Sequence, residues 1–391
     1  MTPLRPIRKD QTAYARTRLF VIFALIYGAF GVQSPFFSVF LQDRGFQVWT
    51  IGLLLAGSTV IKLISAPAVG RIADHYSALS PVLTMSLLGC GLASIGLVSA
   101  GHPAQMLTAI AALAVCLGPV PPLADAIALN TIGKTAYAPV RGAGAAAFII
   151  GLTVSGRVVE QAGIASVFVI NAILMVACAS IAWKQIERRE PALDPIMRSG
   201  HSEAVRYLLS IPTFRRVVVI SALVLGSHAL HDGFTVIRWT AAGMSPSTAG
   251  LLWSVAVGSE VVVFFFLGEP LLRVLGSRGA CILAASVAAL RWSIMAVTAS
   301  TPVMVLVQPL HGLTFALLHL ACMRLITETA PARFAATAQG AYGTLGPGLA
   351  SVILTSASGY LYARLGAQAF WAMAILAIAG IVPACRLQRS D

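Results

Sequence analysis

The sequence predicts an all-α membrane protein with twelve transmembrane helices in two six-helix halves. Three observations predict it. Only 10% of the 391 residues are charged, whereas a soluble domain carries roughly a quarter. Apolar runs of about 20 residues, long enough to cross a bilayer as a helix, recur from Leu19 to Cys385. The basic residues gather in alternate links between those runs, as residues that orient membrane helices do.

Each run is expected to be helical, because a lone strand leaves backbone groups unpaired in lipid. Residues 1–18 are basic and carry Pro3 and Pro6. The run that follows, 19–41, exceeds the apolar core of a signal peptide, about 7–15 residues. It reads as the first membrane helix. The next five spans are 49–69, 80–100, 105–131, 142–162 and 164–183. Only Gly163 divides the fifth from the sixth. The longest polar link, 184–214, is charged and separates six spans from six. A short surface helix is expected over 202–210 within it. The second set is 215–239, 247–267, 279–299, 302–325, 336–361 and 368–385, and residues 386–391 form a polar tail. Two halves, 19–183 and 215–385, joined by a central loop are the plan of two repeats related by an axis along the membrane normal.

Placing the N-terminus in the cytoplasm puts 21 of the 27 basic residues on that side. The outer side keeps Arg44, Arg157, Arg238 and Arg364, while Lys62 and Arg291 lie within spans. That bias predicts both termini inside. The formal charge of +13 does not indicate nucleic acid, because the basic residues do not cluster on one soluble segment. The bilayer is the expected partner, and the expected state is a monomer. The six cysteines show no CxxC spacing and read as small buried residues. No cofactor or metal site is predicted. No GxxxxGK[ST] loop occurs, which argues against ATP-driven pumping.

After the second span the chain reads Gly70-Arg71-Ile72-Ala73-Asp74-His75. This resembles the loop motif of the major facilitator superfamily, with Gly70 and Asp74 as its conformational positions. Tyr76 and Ser77 replace the basic residues usual after the Asp. Further stretches resemble the phenylpropionate permease family and its neighbour, the lactose permease type. They are Pro122 to Ala126, Tyr137 to Gly144, Leu252-Trp253 through Glu260, Arg291-Trp292, Gln308 to Gly312 with Phe315, and Ala336 to Gly340. Ala138-Pro139 departs from that family's usual Gly-Arg. The resemblance implies the major facilitator fold, a bacterial inner membrane and transport of a small solute with protons.

Ionisable side chains inside spans carry the functional expectations, since each costs about 2.5–3.5 kcal/mol at mid-bilayer on insertion scales. Lys62 lies about seven residues, roughly 10 Å of helix, from the end of its span. It suits an anionic substrate or a carboxylate partner such as Asp125 or Glu260. Snorkelling of the side chain to the interface is the alternative. Asp125 and Arg141 stand where the lactose permease type binds substrate with a carboxylate and an Arg. A structural ion pair between them is the alternative.

Glu260, Arg291 and a tenth-span histidine, His311 or His319, resemble the proton-coupling group of the lactose permease type. The chemistry is consistent, because apolar surroundings favour an un-ionised carboxyl and a nearby cation opposes that. Packing is the alternative for either histidine. Thr314 and Cys322 stand where the permease has a carboxylate three residues after its His, so coupling is expected to rest on Glu260. His228 and Asp232, four residues apart with His231 between them, are expected on one helix face as a polar patch toward substrate.

The expected function is proton-coupled symport of a small organic solute such as an aromatic carboxylate. Sugar or nucleoside symport and drug-efflux antiport are the alternatives. An enzyme reading is disfavoured, because the ionisable residues spread over spans 2, 4, 7, 8, 9 and 10 instead of forming one catalytic cluster.

Overall fold

The computed structural model describes residues 9–183 and 201–388. Most of the expected central link, 184–200, lies outside the described residues, as do 1–8 and 389–391 of the two tails. Among the described residues every regular element is a helix, as apolar segments in lipid require.

Among the described residues, nine stretches are long and apolar enough to cross a membrane. Pro246–Val297, at 52 residues, and Thr337–Cys385, at 49, are each about twice the ~20 residues that one crossing needs. Ser166–Ala182 is a shorter apolar helix. Helix therefore covers most of each expected run, with a turn at Gly118–Pro119 inside the run 105–131. Two bends fall where polar links were read. Gly133 (φ 72°) interrupts Val120–Ala162, and Gly276 (φ 64°) interrupts Gly268–Val297. Both take the left-handed conformation that glycine adopts without a Cβ clash. The short helix expected near 202–210 is present as His201–Ser210.

Two expectations change. The Gly70–Asp74 stretch is not a loop, because the Val48–His75 helix runs through it. The turn comes after it, at Ser77 (φ 49°). The first helix begins at Lys9, inside the stretch read as an N-terminal tail.

The chain forms two compact units, one of residues 1–37 with 58–193 and the other of 38–57 with 194–391. In the first unit, Lys9–Gln33 packs along Val120–Ala162. A Cβ on Gly151 would stand 2.5 Å from the Gly28 carbonyl oxygen, so small residues let the two backbones meet. Asn171, fully buried, donates to the Ala29 carbonyl (3.1 Å) and accepts from Ser94 (3.0 Å). One amide thus ties three helices together.

In the second unit, the stretch 38–57 belongs with later helices because Gly52 lies against Gly359. A Cβ on Gly52 would be 2.7 Å from the Gly359 Cα. Three π-helical turns, Val263–Leu267, Leu313–Leu317 and Thr344–Gly348, interrupt long helices of this unit. Such turns collect at functional sites, and the first two flank the cluster described next.

Candidate functional site

In the second unit one guanidinium organises a buried polar cluster. Arg291 is fully buried on Gly268–Val297. Its Nη1 lies 2.8 Å from His311 Nδ1, and its Nη2 lies 2.8 Å from Gln308 Oε1 and 3.1 Å from His231 Nε2. His311 Nε2 lies 2.9 Å from Glu260 Oε1. His231 Nδ1 lies 3.0 Å from Asp232 Oδ1. The guanidinium also sits 4.7 Å over the Trp292 ring, and Trp253 stacks on His231 at 4.9 Å. An arginine can hold such a group because its planar fork offers five donors in fixed directions.

Local sequence explains how the helices reach each other. Gly312 follows His311 and lies flat on Pro246–Val262, with its N–H 2.9 Å from Ser259 Oγ. A Cβ there would be 2.8 Å from the Ser259 carbonyl carbon. The close approach brings His311 to Glu260, the residue after Ser259.

Glu260, Arg291 and His311, singled out in the sequence, come together. The carboxylate meets the histidine, not the arginine directly, so His311 links the two charges. His319 stays apart, its ring 6.1 Å from Phe264 and 6.5 Å from Tyr342.

His228 and Asp232 differ in exposure. A 3₁₀ turn over Gly226–His228 changes the rotation ahead of the Ala229–Ala241 helix. His228 is buried, with Nε2 3.0 Å from Thr314 Oγ1 and Nδ1 3.0 Å from the Val224 carbonyl oxygen. The Asp232 side chain is 60% exposed on a stretch that is otherwise buried from Ala229 to Trp239. The sequence placed His231 in a polar patch with His228 and Asp232, without a link to Arg291, and gave Gln308 no role of its own. Their signal was their neighbours: His231 adjoins Asp232, and Gln308 precedes His311 by one near-turn of helix.

The first unit carries a second group. Tyr137 Oη donates to Asp125 Oδ1 at 2.9 Å. The Arg141 guanidinium lies 4.4 Å over the Tyr27 ring. Phe23, Phe30 and Tyr137 join Tyr27 in an aromatic cluster, with ring centroids 5.6–6.2 Å apart. Asp125 and Arg141 therefore meet through tyrosines and not as a direct ion pair. Among the described residues no carboxylate oxygen lies within 4.0 Å of the Lys62 ammonium. The expected pairing of Lys62 with Asp125, in the same unit, is absent. The Lys62 backbone packs on Gly118, where a Cβ would be 2.9 Å from the Lys62 carbonyl oxygen.

Residues 15–373 match the model of the MFS_1 like family. The chain belongs to this family of the major facilitator superfamily. It is 31% identical over 370 residues to the probable 3-phenylpropionic acid transporter of Escherichia coli (strain K12), covering 91% of this chain and 95% of the relative. It is 24% identical to the maltose permease of Geobacillus stearothermophilus, covering 90% and 89%. Among solved structures, the nucleoside transporter NupG superposes with a TM-score of 0.79 at 15% identity, covering 95% of this chain and 98% of that one. A bacterial homologue of the human lysosomal transporter Spinster superposes at 0.75 and 15%, covering 97% of each chain. At such identities these two likenesses describe the fold. The sequence relatives are transporters of small molecules by name, and this family member is an integral multi-pass membrane protein.

Proposed function

We propose that this family member is a proton symporter that carries a small aromatic carboxylate of the 3-phenylpropionate type inward across a bacterial inner membrane, as a monomer with both termini in the cytoplasm. The observation that carries the coupling is the Glu260–His311–Arg291 linkage. A carboxyl group in a mostly apolar helix bundle is costly when charged and tolerable when protonated. A neighbouring buried cation stabilises the charged form. Movement of the helices that changes this linkage therefore changes proton affinity, and protonation in turn biases the movement.

The substrate class is supported by the 31%-identical relative and by the group around Arg141. Arg141 and Lys62 supply positive charge for a carboxylate. Tyr27, Phe23, Phe30 and Tyr137 supply ring faces for an aromatic body.

The test compares two assays in proteoliposomes with 3-phenylpropionate as the probe. Glu260→Gln mimics the protonated carboxyl permanently. It is expected to exchange substrate across the membrane yet fail to accumulate it against a gradient. Full accumulation by Glu260→Gln removes Glu260 from coupling. Lys62→Ala is expected to lower uptake of the anionic probe at an unchanged protein level. Normal uptake by that variant favours a neutral substrate such as a sugar or nucleoside, to be sought by a thermal-shift screen.

A further inference from the structure

Arg291 stands between two histidine–carboxylate arms. One runs through His311 to Glu260 and the other through His231 to Asp232. A guanidinium only donates hydrogen bonds. The nitrogens facing it, His311 Nδ1 and His231 Nε2, therefore accept, and a nitrogen that accepts carries no proton. Each imidazole is then neutral, with its one N–H on the far side, pointed at a carboxylate oxygen. The cluster's fixed charge is one positive guanidinium.

Among the described residues, the ionisable side chains that act on Arg291 and its partners from the packed helices are His228, His231, Asp232, Glu260 and His311. His228 Nδ1 stands 3.0 Å from the Val224 carbonyl oxygen, which only accepts, so that nitrogen carries the N–H; Nε2, 3.0 Å from Thr314 Oγ1, accepts from that hydroxyl, and the buried ring is neutral. Two carboxyl groups thus face one positive charge. With both ionised the group carries an excess negative charge inside the helix bundle, and with one proton added it is neutral. Arg291, His231 and His311 are buried, and around them the neutral arrangement is favoured.

We propose that Asp232 is a second proton-carrying carboxyl of this group, and that it shares one exchangeable proton with Glu260 across Arg291. The proposal rests on the reading that this group couples protons to transport. The two carboxyls differ in access: the side chain of Asp232 is 60% exposed and that of Glu260 is 18% exposed. Asp232 is therefore where the proton enters from water and returns to it. Arg291 does not conduct the proton, since it has no acceptor. Each ionised carboxylate favours protonation of the other, and Arg291 balances only one of the two charges.

His231 accommodates both states. With Asp232 ionised, Nδ1–H donates to it and Nε2 accepts from Arg291. With Asp232 protonated, its remaining carbonyl oxygen goes on accepting Nδ1–H, so the ring keeps its tautomer and Nε2 still accepts from Arg291. One proton per transport cycle follows.

The experiment records the infrared carbonyl stretch of un-ionised carboxylic acid in purified wild-type protein, Asp232→Asn, Glu260→Gln and Asp232→Glu at neutral pH. The wild type is expected to show a buried acid band equivalent to one group. Both single removals are expected to abolish it, because the remaining carboxylate alone balances Arg291. Asp232→Glu is expected to restore it. Persistence of the band in Asp232→Asn overturns the sharing, since Glu260 then holds its proton independently. Absence of the band in wild type overturns it as well. If either removal variant does not fold, the other provides the same test from the opposite arm. Uptake of 3-phenylpropionate driven by a pH gradient, measured on the same preparations, tests the coupling separately. A shared band without gradient-driven uptake in wild type upholds the shared proton and rejects the symport reading.

Discussion

His311 bridges Arg291 and Glu260, with one ring nitrogen 2.8 Å from the guanidinium and the other 2.9 Å from the carboxylate. The ring is buried, so both contacts matter to stability as well as coupling. Removing one partner of a buried hydrogen bond leaves the other unsatisfied, at about 1–3 kcal/mol. His311→Ala is expected to lower the thermal midpoint in detergent and to abolish gradient-driven accumulation. A His311→Ala protein that accumulates substrate as wild type does would show that Glu260 works without a link to Arg291.

Arg291 is the anchor of the cluster, and lysine does not replace it. A lysine presents its donors from one compact ammonium instead of a planar fork. Breaking a buried charged group by removing one partner costs about 3–5 kcal/mol. Arg291→Ala is expected to lose stability on that scale. Arg291→Lys is expected to recover part of the thermal midpoint without recovering accumulation. Thermal unfolding and uptake, measured together, check this.

Gly312 sets the distance between His311 and Glu260. Gly312→Ala places a Cβ 2.8 Å from the Ser259 carbonyl carbon. Overpacking of this kind costs about 1–3 kcal/mol. The variant is expected to unfold at lower temperature and to lose accumulation more than exchange. Gly258→Ala, where the added Cβ meets nothing within 4 Å, is expected to keep the wild-type thermal midpoint. Equal midpoints for the two variants would refute the packing argument.

Tyr137 holds Asp125 in the aromatic group of the first unit. Tyr137→Phe removes one hydrogen bond worth about 1 kcal/mol. If that bond orders the substrate site, KM for 3-phenylpropionate is expected to rise about fivefold. Arg141→Ala is expected to weaken uptake further, because it removes a charge that would pair with a carboxylate. Unchanged kinetics in both variants would move the substrate site elsewhere.

Sidedness follows from the basic links. Ser199→Cys is expected to react with an impermeant thiol label from the cytoplasm, and Gly45→Cys from outside. Ser199 lies outside the described residues. Cys385 is exposed, so the labelling is done in a Cys385→Ser background. Labelling with the opposite sidedness would reverse the orientation.

The sequence by itself determined that the chain is helical and membrane-bound. Those properties depend on local composition, because about 20 apolar residues in lipid have few alternatives to a helix. It also pointed to Glu260, Arg291 and His311, because a charged or polar side chain within an apolar run stands out without any knowledge of the fold. It did not reveal their partners. The π turns, the 3₁₀ turn before Ala229 and the approach at Gly312 rotate each side chain by amounts that an ideal helical period does not predict. Only the tertiary structure decided that His228 is buried while Asp232 is exposed, that His231 and Gln308 meet Arg291, and that His319 stands away from the partners expected for it. Side chains far apart in the chain meet only after helices pack, and packing depends on shapes that no single span encodes.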